Sequence, residues 1–162
     1  MGYQTDEQKK AEDDFAREIG EAWRCDMRRL ADYDRTDYYA VRGERVCAVL
    51  EVKVRERTRD AFPTAFVNLR KWDSLFAMSR AFGVPAFFAL KFTDFSGYIG
   101  VDELAGRELV FKGREDRGGT NDKQPAIVVP VGDYRPIAVE VCRPASEDED
   151  EVIEFPGPDA PE

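Results

Sequence analysis

The chain has 162 residues, 43% hydrophobic and 12% aromatic, and a formal net charge of −9. That is enough for one domain with a sizeable core and too little for two. It contains no histidine, which excludes Ser-His-Asp and Cys-His catalysis, His-ligated zinc and any hydrolase built on a histidine base.

The negative charge is concentrated at one end. Residues 146–162 carry eight acids and no Lys or Arg, leaving 25 acids against 24 bases elsewhere. The body is therefore near neutral, with bases clustered from Arg24 to Arg45, from Lys53 to Arg59 and at Arg70-Lys71. Cys25, Cys47 and Cys142 lack a CxxC spacing and read as reduced thiols. No stretch reads as a signal peptide or a membrane span, so the expectation is a soluble cytoplasmic protein without a membrane partner.

In chain order, Asp6 to Leu30 reads as an amphipathic helix, with Phe15, Ile19, Trp23, Met27 and Leu30 on one stripe. Asp32 to Asp37 is a polar connector. Tyr38 to Val41 and Arg45 to Val54 read as a hairpin around Gly43. After a loop from Thr58 to Pro63, Pro63 or Thr64 opens a second helix to Phe82, closed by Gly83 and Pro85. On that helix Thr64, Asn68, Lys71 and Leu75 form one stripe, and Leu69, Trp72, Phe76 and Ser79 form the stripe that packs on the sheet. Ala86 to Phe92 and Tyr98 to Val101 read as paired strands, and Glu108 to Phe111 and Ile127 to Val131 as short ones. Lys112 to Gln124 is a charged loop between them, and Asp133 to Cys142 holds one more short strand. The expected architecture is an α/β (α+β) domain over residues 1–145 with a central mixed sheet flanked by helices. Residues 146–162 form an acidic tail with no packable pattern, read as disordered.

The strand from Val46 to Arg55 points to the chemistry. Strand side chains alternate faces, so Val46, Ala48, Leu50, Val52 and Val54 make one apolar face. The other runs Cys47, Val49, Glu51, Lys53, Arg55 and turns from apolar to charged. A carboxylate and an ammonium at the mouth of a core strand are costly unless paired or ligand-bound. Directly opposed hairpin residues share a face, so Asp37 joins Glu51 only if the loop has an odd number of residues or the ladder contains a bulge. A two-residue Gly43-Glu44 loop alone sends Asp37 to the wrong side. Given the required geometry, Asp37, Glu51 and the backbone carbonyl of Val52 offer oxygens to Mg²⁺ or Mn²⁺, a cation that keeps several waters. Such a metal would polarise a phosphate and acidify water. Lys53 would orient that water or stabilise developing charge. Asp34, in the same connector, is a rival for the first carboxylate.

Asp37 with Glu51-Val52-Lys53 resembles the PD-(D/E)XK nuclease superfamily, in which an Asp and a Glu-X-Lys at the end of a core hairpin hold a metal. The resemblance runs from the first helix to about Val101. It is nearest to small phage-borne members, through Arg55 after the triplet, Lys71-Trp72 on the next helix and the Gly83-Val84-Pro85 turn. No Pro precedes Asp37, a departure common in the superfamily. The resemblance implies a restriction-endonuclease-like core and a Mg²⁺-dependent nuclease with Asp37, Glu51, Lys53 and Lys71 catalytic. Arg55, Arg57, Arg59 and Asn68 would then hold nucleic acid, in keeping with a basic run beside the site. DNA is the expected partner, a homodimer is compatible with the resemblance, and the location is host cytoplasm if the gene is phage-borne. By analogy Glu12 and Glu18 are candidate extra ligands, although both read as solvated helix residues; Trp23 and Trp72 read as core. The alternative function is a non-catalytic DNA-binding or assembly module that retains the fold.

Overall fold

The computed structural model describes residues 5–30, 36–113 and 123–137. Its elements are helix α1 (Asp6–Trp23), strands β1 (Asp26–Arg29), β2 (Tyr38–Arg42), β3 (Arg45–Val54) and β4 (Thr64–Asn68), helix α2 (Leu69–Phe82), and strands β5 (Ala86–Lys91), β6 (Ser96–Gly100), β7 (Leu109–Lys112), β8 (Gln124–Pro130) and β9 (Arg135–Pro136). A six-stranded sheet runs in the order β1-β2-β3-β5-β6-β9, and β4-β8-β7 make a second, three-stranded sheet. The large sheet is mixed, since β3 and β5 are parallel and its other pairs antiparallel. The α+β architecture with a mixed sheet is as the sequence indicates.

Strand β3 is central because it is apolar on both faces until its last turn. Ala48, Leu50 and Val52 join Phe15, Ile19, Phe87 and Ala89 in a core layer under α1. Val49 joins Leu75, Phe88, Leu90, Phe92, Val67 and Val129 in a second layer under α2 and the small sheet. Trp23 packs edge-on against Phe87 and Tyr98, and Trp72 stacks on Phe76 while its Nε1–H donates to the Val101 carbonyl. Both tryptophans are half-buried and pack against the core, in keeping with the expectation.

Two element boundaries differ from the sequence expectation. The first helix ends at Trp23 rather than Leu30: Arg24 takes a left-handed conformation with φ 53°, and the Cys25 N–H closes back on the Gly20 carbonyl. The chain then returns as edge strand β1 so close to the helix that a Cβ on Gly20 would lie 2.7 Å from the Cys25 carbonyl oxygen. Met27 keeps helical spacing to Trp23 by coincidence and packs into the same core layer from a strand. The second correction is Thr64–Asn68, which is strand β4 and not the start of a helix. Its alternation puts Ala65 and Val67 inward, and it pairs with β8 along its whole length. Asn68 caps α2 instead of riding on it.

The remaining strands stand near their expected places, and the last is only two residues long within the described range. Gly83, at φ 63°, closes α2 as expected. Asp34, most of the loop between β7 and β8, Cys142 and the acidic tail lie outside the described residues. Cys25 and Cys47 are free thiols. No helix among the described residues is long and apolar enough to cross a membrane.

Candidate metal and active site

The hairpin meets the geometric condition through a bulge. The tip is the two-residue Gly43-Glu44 loop, with Arg42 opposite Arg45 and Val41 opposite Val46. The next pair is Ala40 with Ala48, so Cys47 is the extra residue, and the ladder continues to Tyr38 opposite Leu50. One further step brings Asp37 level with Glu51 on a shared face. Without Cys47 as a bulge, the tip register would have put them on opposite faces.

A backbone contact fixes the approach. The Val52 N–H donates to Asp37 Oδ2 at 3.4 Å. A strand residue turns its N–H and C=O toward the same neighbour, so the Val52 carbonyl also heads to the Asp37 side. Two carboxylates, and on this geometry one backbone carbonyl, thus face one another just before β2 begins. Among the described residues no group of three or more Asp, Glu, Cys or His side chains is poised to hold a metal. A cation here would rely on those three oxygens plus waters, a set that suits Mg²⁺ better than a cage-seeking ion.

Glu51 carries the cost of the site. It is 2% exposed, and both carboxylate oxygens are buried without a hydrogen-bond partner. Two ammonium groups stand near it: Lys53 Nζ is 3.3 Å from Oε1, and Lys71 Nζ is 3.5 Å from Oε2 and 3.7 Å from Asp37 Oδ1. Burial, then the neighbouring Asp37 carboxylate, pushes Glu51 up to about 7, against the pull of Lys53 and Lys71. For Lys53, burial would lower the ammonium pKa, but Glu51, Asp37 and Glu12 outweigh it and raise it. Lys53 is therefore a cation at neutral pH, and suited to hold negative charge rather than to accept a proton.

Lys71 reaches the two carboxylates from the first turn of α2. That turn is capped by Asn68, whose Oδ1 accepts the N–H groups of Arg70 and Lys71 while its Nδ2 donates to Gln124 Oε1. The structure thus brings Asp37, Glu51, Val52, Lys53 and Lys71 together, and gives Asn68 a capping role. Arg55, Arg57 and Arg59 follow just beyond β3. Arg55 is exposed and its N–H bonds the Lys91 carbonyl. Arg57 lies over Phe62, and Arg59 over Phe95.

Glu12 departs from the expectation of a solvated residue. It is 7% exposed on α1, 3.7 Å from Arg29 Nη2, and its charge acts on Lys53. Arg29 is held in turn by Asp13 and by the buried Tyr38, whose hydroxyl donates to Asp13. Nothing in the sequence signals this network, because the spacing up to Leu30 is that of a helix and Arg29 stands on strand β1. Glu18 instead pairs with Lys91 at 2.6 Å.

A family model described as "Phage putative PDDEXK endonuclease" matches residues 1–137. The chain belongs to that family. The matched span includes Asp37 and Glu51-Val52-Lys53, and nucleases of this kind generally use divalent metals. Among solved structures, the chain is similar to the Holliday junction resolvase Hjc of the archaeal hyperthermophile Archaeoglobus fulgidus. The match has a TM-score of 0.53 and 19% identity, and covers 79% of this chain and 87% of that one. At that identity the likeness establishes a shared restriction-endonuclease-like fold. No curated protein matches the chain.

Proposed function

We propose that this PDDEXK family member is a divalent-metal-dependent nuclease that hydrolyses phosphodiester bonds in DNA. One observation carries the reading: Glu51 is buried in a core strand beside a second carboxylate, with no hydrogen bond to either oxygen, and the ion pairs to Lys53 and Lys71 do not prevent a raised pKa. A buried carboxylate of that kind is expensive to keep, and a cation shared with Asp37 offsets the expense. Asp37, Glu51 and the Val52 carbonyl would hold Mg²⁺ or Mn²⁺, which when bound supplies charge neutralisation at the scissile phosphate and acidifies the attacking water.

The chain's own residues do the rest. Lys53, kept protonated by its acidic neighbours, faces the charge that builds on the phosphate oxygens as the bond to the leaving oxygen lengthens. Lys71 adds a second positive charge from the first turn of α2, 3.5 Å from Glu51 Oε2 and 3.7 Å from Asp37 Oδ1. Arg55, Arg57 and Arg59 would attract the flanking backbone without regard to sequence. A cytoplasmic setting, that of the host if the gene is phage-borne, fits this substrate.

Thermal melting against added metal tests the reading. Mg²⁺ or Mn²⁺ should raise the melting temperature of the wild type by mass action, because it binds the folded state and relieves the carboxylate pair. Glu51→Gln should lose most of the shift. No shift at millimolar metal, with salt-sensitive DNA binding intact, would favour a non-catalytic DNA-binding module instead.

A further inference from the structure

The loop that leaves β3 holds an aromatic residue in a position that the hydrolytic chemistry does not explain. Phe62 is 55% exposed. The Arg57 guanidinium lies 4.5 Å from its ring centroid and 5.8 Å from that of Phe92, and Arg59 lies 4.1 Å over Phe95. Two backbone bonds pin the loop against the turn after β5: the Thr93 N–H donates to the Arg57 carbonyl, and the Arg59 N–H to Asp94 Oδ1. Among the described residues no ion pair joins either guanidinium to a carboxylate. Each guanidinium instead lies against aromatic rings, an arrangement that favours a cation.

One ring of this platform, Phe92, lies on the carboxylates' face of the sheet. Glu51 is opposite Phe88 and Lys53 opposite Leu90, and Phe92 continues that row into the same core layer. From the level of Glu51 to that of Phe92 is four residues, about 13 Å of strand rise. This is roughly four base steps of DNA at 3.4 Å each. A DNA strand cut beside Glu51 and running along this face would pass the platform within a few nucleotides.

Bases inside a duplex offer no open ring face. An exposed aromatic backed by a guanidinium can stack only on a base at an end, a flap or a branch, while the arginines attract the phosphates on either side. We propose that Phe62, backed by Arg57, is a stacking shelf for an unpaired DNA base, and that it directs the enzyme to places where a strand leaves the duplex. This inference rests on the nuclease reading and names its substrate class.

The test uses full-length protein, without divalent metal, and two DNAs: a blunt duplex, and the same duplex with a single-stranded flap carrying a fluorescent adenine analogue beside the junction. Wild type should bind the flap more tightly than the duplex and quench the analogue. Phe62→Ala, folded by its melting curve, should lose the quenching and lower the flap-to-duplex affinity ratio roughly tenfold to hundredfold. Phe62→Trp should restore both. An unchanged ratio in Phe62→Ala, equal binding of the two DNAs by wild type, or no binding of either would overturn the shelf. Cleavage with Mn²⁺ separates the two readings. A wild type that cleaves while Phe62→Ala keeps the ratio refutes the shelf and leaves the nuclease. A flap preference that depends on Phe62 without cleavage refutes the nuclease and leaves the shelf as a DNA-binding feature.

Discussion

Replacing Glu51 by Gln keeps the shape of the side chain and removes its charge, and in metal-free protein the substitution should stabilise the fold. Burial and Asp37 raise the Glu51 pKa from 4.5 to about 7 in the folded state. As pH rises from 4.5 to 7, the unfolded chain gives up the Glu51 proton while the folded chain keeps it. The unfolded state then binds fewer protons, so stability falls through this window. Above it the whole difference applies: about 2.5 units at 1.36 kcal/mol each, or roughly 3 kcal/mol. The residue is 2% exposed, so solvent screening takes little of this away. Lys53, whose pKa is raised by Glu51, Asp37 and Glu12 against the effect of burial, stays a cation throughout that window and adds no slope of its own. In chelator at pH 8, Glu51→Gln should therefore melt roughly 6–12 °C above wild type, and at pH 4.5 the two should nearly coincide. A series of melting curves between those limits reads the effect directly. A variant that melts below wild type at pH 8, or an offset of equal size at both ends, would refute the argument that the buried Glu51 charge is only partly compensated by Lys53 and Lys71.

Three other substitutions probe the scaffold and the second lysine. Gly20→Ala should cost about 1–3 kcal/mol in a denaturant titration, because the new Cβ meets the Cys25 carbonyl at 2.7 Å and the Met27 side chain at 3.1 Å. Asn68→Ala should cost about 1 kcal/mol by the same assay, since it removes the cap of α2. Glutamine there should recover little, because its amide stands one methylene too far out. Lys71→Ala should slow single-turnover cleavage roughly 10²- to 10³-fold while leaving the cooperativity of unfolding unchanged, and a variant that cleaves at the wild-type rate would remove Lys71 from the chemistry.

The parts of the site that the sequence revealed are those that depend on strand alternation. Glu51 and Lys53 follow an apolar run on one strand, so their shared face needs no tertiary information, and the position of Asp37 reduces to the parity of one ladder. The bulge at Cys47 satisfies that parity, yet nothing local marks Cys47 as the extra residue. Lys71 was expected on a helix face with Thr64, Asn68 and Leu75. The helix begins at Leu69, but Lys71 and Leu75 keep their spacing and Leu75 is fully buried, so the direction of Lys71 survives a wrong helix start. Thr64–Asn68 misled because a short run after a proline suits a helix start as well as a strand. Only β8, more than fifty residues later, makes the strand the better choice by covering Ala65 and Val67. Met27 misled for a related reason: its distance from Trp23 fits a helix turn, and the close passage at Gly20 that ends the helix is a contact between segments. Glu12 looked solvated because its burial comes from what packs over it, and no residue near it in sequence signals that.

The claim on which the rest depends is that Asp37, Glu51 and Lys53 form a metal-dependent hydrolytic centre. The most direct test incubates duplex, single-stranded, nicked and four-way DNA with Mn²⁺ and wild-type protein, Glu51→Gln or Lys53→Ala, and follows cleavage on denaturing gels. The account predicts cleavage of at least one DNA by wild type, abolished by chelator and lost in both variants while their melting curves remain cooperative. Cleavage that persists in folded Glu51→Gln, or none by wild type on any of the four, would contradict it.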